Sequence, residues 1–522
     1  MGTIFNQGSR TANVVKASSI GTVCHFLSYG MGFVYRTVFI AILSAAYLGI
    51  NGLFWNLLAF LSLAELGIGE VIVYRFYRPI AENDVKKVGE LMGFFKQVYR
   101  LIALVITAVG LAIYPFLNFF IKDPASVPAD VNLNLVYLLY LAQSIVSYTF
   151  VYRLTIWTAD QKRYVSAFLT SIAETAKFGA QILVLWLTRD FTLTLVAGIV
   201  APLVLNIAFS IWTTCVYRPV FEVEGRLPFQ EKVHIFMDAG ALMCHKVGAA
   251  VVANTDSIVL AKFVGLVSVG VYSNYCLLTK ALDMLLRQAI GGFTASFGNA
   301  AVRLSKDDYH TAFRRMQFVN LAVAGGATAC FALLVDGFVR LWLGEDMVFA
   351  RLTTIVLSVQ FYIVASRLTV ESNISATGLF VKDRPRPLIE AVLNLVISIL
   401  LVRKFGLVGV FIGTILSSGL TVVWRAPYIL YRHAFGKSVW IYWRQYGLIT
   451  AFSALFVLGG FWTGQRLPQT SGWAAWTFSA MGCAAAYGTL FLICFCLMPE
   501  CRFFLRFVRD KLVRFGKGKG KS

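Results

Sequence analysis

The sequence has 522 residues, of which 58% are hydrophobic and 14% are charged, and its formal net charge is +21. A soluble domain has about 45–50% apolar and about 25% charged residues, so this composition excludes a soluble protein and indicates a polytopic membrane protein. The nine cysteines lie mostly in apolar runs, and their spacing fits neither a disulfide framework nor a zinc site.

Apolar runs along the chain predict about fourteen transmembrane helices, because about 20 apolar residues are needed to cross a bilayer. The polar residues up to Lys16 lack the layout of a cleavable signal peptide, so we expect the first run to remain as a helix. Short connections indicate an all-α polytopic membrane protein without an inserted soluble domain. The predicted helices span residues 17–43, 52–74, 94–119, 132–157, 165–188, 192–216, 240–264, 268–297, 315–340, 350–376, 387–402, 407–431, 446–465 and 473–498.

Lysine and arginine mark the cytoplasmic side of membrane proteins, and here they concentrate on one side of the predicted helices. That side carries basic residues in successive connections, among them Arg75, Lys86, Lys162, Arg226, Lys306, Lys382 and Lys437. The opposite side has only scattered basic residues, namely Lys122, Arg189, Arg340, Arg403, Lys404 and Arg466. We therefore expect a multi-pass protein with both termini in the cytoplasm.

The C-terminal tail, residues 499–522, is basic and has aromatic residues interleaved with its arginines. Basic residues near an anionic membrane surface contribute ~1 kcal/mol each. We predict that the tail is an anchor on the inner leaflet with anionic lipids as its partners. Nucleic acid is the alternative partner for such a segment, and we expect none.

A weak internal repeat relates the two halves of the predicted bundle. One Cys-His pair precedes Arg36, and another precedes Asp256 by the same number of residues. A second alignment of the two halves places Glu65 opposite Asp283. Transporters commonly bind substrate between such repeats, so we expect two six-helix lobes followed by two further helices. The predicted divisions are an N-terminal lobe at 1–225, a C-terminal lobe at 226–435, two helices within 436–498, and the tail at 499–522.

Charged residues inside the predicted helices are the candidates for a transport site. An Asp, Lys or Arg at a helix centre costs ~2.5–3.5 kcal/mol on insertion scales, which favours a water-filled cavity around it. Lys280, Asp283 and Arg287 are spaced i, i+3, i+7 and share one helical face. Arg367 and Glu371 are spaced to pair at i, i+4, and mutual neutralisation during insertion is the alternative explanation for that pair.

Two groups of residues follow from these considerations. We predict that four basic residues line the central cavity and bind substrate, namely Arg36, Lys246, Arg287 and Arg367. We predict that four acids couple transport to an H⁺ or Na⁺ gradient, namely Glu65, Asp256, Asp283 and Glu371. The membrane potential is a further source of energy, and we expect no cofactor and no bound metal.

The sequence does not favour an enzyme. Its five histidines are scattered, and none has the paired His/Glu spacing on one helix that binds zinc. A membrane-embedded enzyme of polysaccharide assembly remains the alternative from another functional class. It is disfavoured because such enzymes usually need a sizeable extramembrane loop for sugar chemistry.

Several ordered stretches resemble the Wzx-type polysaccharide flippases, which belong to the MOP superfamily with the MATE drug exporters and the lipid II flippase. These stretches are LGINGLF at 48–54, LAELGIG at 63–69, YRPIAEND at 77–84 and VYSNY at 271–275. The resemblance implies two pseudo-symmetric, MATE-like lobes and alternating access. It also implies a basic cavity and an undecaprenyl-pyrophosphate-linked oligosaccharide as cargo.

The resemblance further implies a place in the bacterial cytoplasmic membrane, in the biosynthesis of O-antigen, capsule or exopolysaccharide. Its partners would be the lipid-linked glycan and other polysaccharide-assembly proteins. A cation-coupled MATE-type exporter of small drugs is the alternative within the superfamily. Drug sites of that type favour acidic and aromatic linings, whereas the cavity candidates here include several bases.

Overall fold

The computed structural model describes residues 10–61, 68–223, 225–291, 300–301, 303–383, 385–464, 472–506 and 509. Within these residues the secondary structure is helical, and no β-strand is present. The long helices are α1 (Arg10–Ile42), α2 (Ala45–Leu61), α3 (Ile68–Ala81), α4 (Val85–Ile113), α5 (Leu133–Val151), α6 (Arg163–Thr188), α7 (Phe191–Val216), α8 (Phe229–Phe263), α9 (Leu266–Gly291), α10 (Lys306–Leu343), α11 (Arg351–Ser366), α12 (Leu368–Ala376), α13 (Arg386–Ser418), α14 (Trp440–Gly464) and α15 (Trp473–Phe495). Short helices cover Thr155–Ala159, Arg218–Phe221 and Trp424–Leu430.

The predicted all-α polytopic fold with about fourteen membrane helices is confirmed. The second predicted helix corresponds to α2 and α3 together, and the tenth corresponds to α11 and α12. Nine helices in the described ranges are long and apolar enough to cross a membrane. α8 and α9 are not among those nine, although each is long enough to span a bilayer.

The eleventh and twelfth predicted helices meet at a kink rather than at a loop. The backbone of Gly406 has φ 57° and ψ −136°, which is not helical, and helix continues on both sides of it. A positive φ of this kind costs glycine little, because it has no Cβ. The second segment then runs on through Trp424–Leu430 to Phe435. The sequence predicts two helices there, with residues 403–406 between them.

α10 begins nine residues before the predicted start of the corresponding helix. Ser305 caps it, since the Ser305 hydroxyl accepts a hydrogen bond from the Asp308 backbone N–H at 3.1 Å. An N-cap of this type satisfies one of the free N–H groups of the first turn. The charged first turns are helical but lie outside the apolar run, so hydropathy alone did not include them.

The chain forms two compact units, residues 1–273 and 274–522, and the division falls inside α9. In unit 1, α1 packs against α6, α6 against α7, and α2 against α8. In unit 2, α10 is the central helix and packs against α11, α14 and α15. The predicted lobe boundaries at 225/226 and 435/436 come from an internal repeat of the sequence. The division into compact units does not test that repeat, so these boundaries stay predictions.

Within unit 1, the beginnings of α2 and α9 touch through their backbones. A Cβ added at Gly49 would lie 2.0 Å from the carbonyl oxygen of Leu266. A Cβ added at Gly270 would lie 2.2 Å from the carbonyl oxygen of Ala45. Only glycine permits such an approach, so these two positions fix how α9 begins against α2.

Candidate functional site

Four of the eight predicted site residues come together in unit 2. Asp283 and Arg287 lie on α9, Arg367 lies at the end of α11, and Glu371 lies in the first turn of α12. We call these four residues the charged cluster. The remaining members of the prediction lie in unit 1 or outside the described residues.

The break between α11 and α12 places Arg367 and Glu371. Carbonyl groups at the end of a helix lack partners within it, and here side-chain amides of α10 supply them. Asn320 Nδ2 donates to the carbonyl of Ser366 at 2.9 Å and to that of Ala365 at 3.2 Å. Because Asn320 is fully buried, this contact holds the end of α11 firmly against α10.

The charged cluster is a chain of alternating charges. Arg287 Nε donates to Asp283 Oδ2 at 2.7 Å, and Arg287 Nη1 lies 3.7 Å from Glu371 Oε2. The other oxygen of Glu371 lies 2.7 Å from Arg367 Nε. The intrahelical pairing of Arg367 with Glu371 is therefore present, but Glu371 also contacts an arginine of another helix.

Three atoms of the cluster are buried and form no hydrogen bond in the described part of the chain, namely Arg367 Nε, Arg367 Nη1 and Asp283 Oδ1. Arg367 Nε still lies at ion-pair distance from Glu371, whereas Arg367 Nη1 and Asp283 Oδ1 keep free hydrogen-bonding capacity. A buried polar group without a partner costs about 1–3 kcal/mol. The cluster thus offers a donor and an acceptor to a ligand or to water, while its two cations and two anions balance.

Arg36 has a separate environment in unit 1. It is half-buried on α1, and its Nη1 donates to the Ser273 hydroxyl at 2.8 Å. The same hydroxyl donates to the carbonyl of Gly270 at 2.7 Å. The guanidinium is thereby connected to the close approach of α2 and α9.

The other predicted residues of unit 1 lie on α8 or outside the described ranges. Lys246 is half-buried, and Asp256 is 2% exposed, and both take part in interactions with their surroundings. Glu65 lies outside the described residues. The proposed alignment of Glu65 with Asp283 therefore stays a prediction.

Two further acids within the helices were not among the sequence candidates. Asp336 on α10 accepts hydrogen bonds at Oδ1 from the Tyr275 hydroxyl at 2.9 Å and from Thr354 at 2.7 Å. The Tyr275 hydroxyl in turn accepts from the backbone N–H of Phe349 at 3.1 Å. The sequence feature that could have identified Asp336 is its position as a lone aspartate in the apolar run of α10.

The second of these acids is Glu390, near the beginning of α13. It is 6% exposed, and it accepts hydrogen bonds from Arg386 Nη1 at 2.9 Å and from the Ser418 hydroxyl at 2.8 Å. Arg386 Nε also donates to the buried Asp383 at 2.6 Å. The i, i+4 spacing of Arg386 and Glu390 could have indicated this pair.

Comparison with known sequences places the chain in a family. The sequence profile of the polysaccharide biosynthesis protein family matches residues 14–292, which is more than half of the chain. The chain belongs to this family. No curated protein sequence gives a significant match.

Solved structures with the same fold as this family member include a flippase and several transporters. The lipid II flippase MurJ, in an inward closed conformation, superposes with a TM-score of 0.68 at 12% identity, covering 90% of this chain and 98% of MurJ. An inward-facing multidrug resistance MATE family transporter of the MOP superfamily gives 0.52 at 14% identity, covering 84% and 95%. A MATE in the bent conformation gives 0.51 at 15% identity, covering 86% and 98%.

The family match and these folds confirm the resemblance seen in the sequence. The family member is a multi-pass membrane protein with the fold of MOP-superfamily transporters. Each of these structures is of a flippase or a transporter rather than an enzyme, in agreement with the sequence prediction. The assignment of individual residues to substrate or ion binding stays a prediction.

Proposed function

We propose that this protein is a flippase that moves an undecaprenyl-pyrophosphate-linked oligosaccharide repeat unit across the bacterial cytoplasmic membrane. The unit would pass from the inner to the outer leaflet by alternating access, for the synthesis of a surface polysaccharide. The observation that carries the proposal is the match to the polysaccharide biosynthesis family on a fold shared with a lipid II flippase. A lipid-linked glycan is the cargo class consistent with both.

The charged groups of the membrane helices suit the pyrophosphate of this cargo. A pyrophosphate loses its hydration in the hydrocarbon region, and arginine compensates by donating paired hydrogen bonds to phosphate oxygens. Arg36 is half-buried and Arg287 is exposed, so each side chain can reach a ligand. Arg367 Nη1 is a donor without a hydrogen-bond partner in the described residues. An inside-negative potential also favours export of an anion, by ~2.3 kcal/mol per charge per 100 mV.

The acids of the charged cluster supply a means of coupling. In the structure Asp283 and Glu371 neutralise the two arginines, so an anionic cargo has to compete with them. A proton or Na⁺ on these carboxylates would leave the guanidinium groups to the pyrophosphate. Binding of the ion and binding of the cargo would then favour the same state, so the two binding equilibria would be coupled.

The direct experiment is a flipping assay in proteoliposomes that contain a labelled undecaprenyl-pyrophosphate oligosaccharide. Movement of the label between leaflets should depend on the protein. We expect the rate to change when an H⁺ or Na⁺ gradient or a potential is imposed. An unchanged rate without any gradient or potential would remove the coupling part of the proposal and leave the flippase part.

A charge-reversal series distinguishes the flippase from a MATE-type drug exporter. Arg36→Glu and Arg287→Glu should each abolish flipping of the anionic glycan and leave export of a cationic dye unchanged or improved. Arg189→Glu is the matched control, since Arg189 is an exposed residue at the end of α6. Retained glycan flipping in both variants would remove the site assignment, and dye export alone would favour the drug exporter.

A further inference from the structure

The last described helix of the chain, residues 499–506, packs against the beginning of α10; we call it the tail helix. Its inner face is buried, with Glu500 6% and Cys501 1% exposed. The Glu500 carboxylate forms an ion pair with the guanidinium of Arg314 on α10. The neighbouring Arg315 guanidinium lies 3.7 Å from the centre of the Phe503 ring. These contacts fix one side of the tail helix to unit 2.

The opposite side of the tail helix is basic. Arg502, Leu505 and Arg506 are exposed, and the spacing continues to the exposed Arg509. Positions i, i+3 and i+4 share one face of a helix, so Arg502, Leu505 and Arg506 lie together on the outside, and Arg509 continues the same spacing in the sequence. We call these four residues the outer basic face. The acid of this segment, Glu500, points the other way.

Large apolar side chains of the tail helix are also partly exposed. Phe503, Phe504 and Leu505 are 40–42% exposed, which is unusual for three consecutive large apolar residues facing water. A helix with arginine on its polar side and Phe or Leu beside it is typical of segments that lie in the membrane interface. The tail helix also begins four residues after α15 ends at Phe495, so it lies where that membrane helix leaves the bilayer.

We infer that the outer basic face binds the anionic phospholipid headgroups of the adjacent leaflet, with Leu505 entering the acyl boundary. The guanidinium groups meet lipid phosphates, while Glu500 and Cys501 hold the helix on α10. The bilayer is thereby connected to the first turns of the central helix of unit 2. This inference concerns a lipid surface and does not rest on the proposed cargo.

The experiment measures hydrogen exchange of the full-length protein in nanodiscs of phosphatidylcholine alone or mixed with phosphatidylglycerol. Three arginines near an anionic surface predict roughly 100-fold slower exchange of the tail-helix amides in the anionic nanodiscs. High salt should reverse the difference, because it screens exposed charges. Equal exchange of the tail-helix amides in both kinds of nanodisc at low salt would overturn the inference, and this result requires only the native protein.

Variants and added ligands complete the test. The triple variant R502Q/R506Q/R509Q should lose the dependence on phosphatidylglycerol, whereas the matched control R189Q/R403Q/K404Q, which removes three cations elsewhere, should keep it. Inorganic phosphate or a short RNA is added separately to protein in phosphatidylcholine nanodiscs. Protection of the tail helix by phosphate alone would indicate an anion site, and protection by RNA but not by phosphatidylglycerol would indicate nucleic acid. Either result would overturn the inference.

Discussion

Glu371 contacts both arginines of the charged cluster, one through each carboxylate oxygen. Its side chain is 33% exposed, so solvent weakens these attractions and each is worth about 1 kcal/mol or less. That strength suits a group that exchanges partners during a transport cycle. A fully buried pair would cost too much to separate.

Replacement of Glu371 by glutamine should make the site more attractive to an anion. With the carboxylate charge removed, Arg287 and Arg367 are available to pyrophosphate, and we expect KM for the glycan to fall roughly fivefold. Turnover should fall as well, because release becomes slower. Flipping kinetics in proteoliposomes measure both constants.

The control for this change is Glu345→Gln, which removes an exposed acid that pairs with Arg340 outside the cluster. It should leave both constants unchanged. Identical kinetics in the native protein, Glu371→Gln and Glu345→Gln would show that the charged cluster does not meet the cargo.

Backbone contact between α2 and α9 is a constraint at the scale of elements. The first turns of α9 lie against α2 through Gly49 and Gly270, and the same helix continues to Asp283 and Arg287. These two glycines therefore set how closely the first turns of α9 approach α2.

Gly49→Ala should destabilise the protein, since its Cβ would meet the Leu266 carbonyl at 2.0 Å. Overpacking of this kind costs about 1–3 kcal/mol. Gly179→Ala on α6 is the control, because nothing lies within 4 Å of its added Cβ and alanine favours a helix by about 1 kcal/mol. Thermal unfolding in detergent should show a lower midpoint for the first variant and an equal or higher one for the second. A shift in the same direction for both would contradict the packing.

The two C-terminal membrane helices pack on α10, and one cysteine pair reports on this contact. Cys330 Sγ on α10 lies 3.8 Å from Cys483 Sγ on α15. In a variant that retains only these two cysteines, mild oxidation should form one intramolecular disulfide, with loss of two hydrogens measured by mass spectrometry. Cys483→Ser in that background should prevent it. Two free thiols after oxidation would show that α15 lies elsewhere.

At the scale of the whole molecule, the orientation in the membrane decides which end of each helix meets the cytoplasm. The distribution of lysine and arginine predicts cytoplasmic termini. That orientation also places the tail helix at the leaflet with the more negative surface, where basic residues bind best. The inferred lipid contact and the predicted topology therefore agree.

Cysteine labelling measures this orientation. Asp346 and Ser438 are exposed in connections at opposite ends of helices of unit 2. In a cysteine-free background, Asp346→Cys should react with a membrane-impermeant maleimide in intact cells, whereas Ser438→Cys should react only after lysis. The reverse pattern would place both termini outside.

The periodic and compositional features of the sequence determined the class of fold. Hydropathy gives the number of membrane helices because every backbone group in a bilayer must be paired within the segment, which leaves helices as the solution for long apolar runs. It misplaced the beginning of α10, since charged first turns are helical but not apolar. It also missed that Gly406 bends one helix rather than separating two.

The sequence also identified the members of the charged cluster, since Asp283–Arg287 and Arg367–Glu371 follow the i, i+4 rule of a single helix. Only the tertiary structure showed that Glu371 reaches Arg287 on another helix, and that Asn320 positions Arg367 by binding the end of α11. Both contacts join residues distant in sequence, and local spacing carries no information about them. Helical periodicity determined which charges share a face, and packing between helices decided which faces meet.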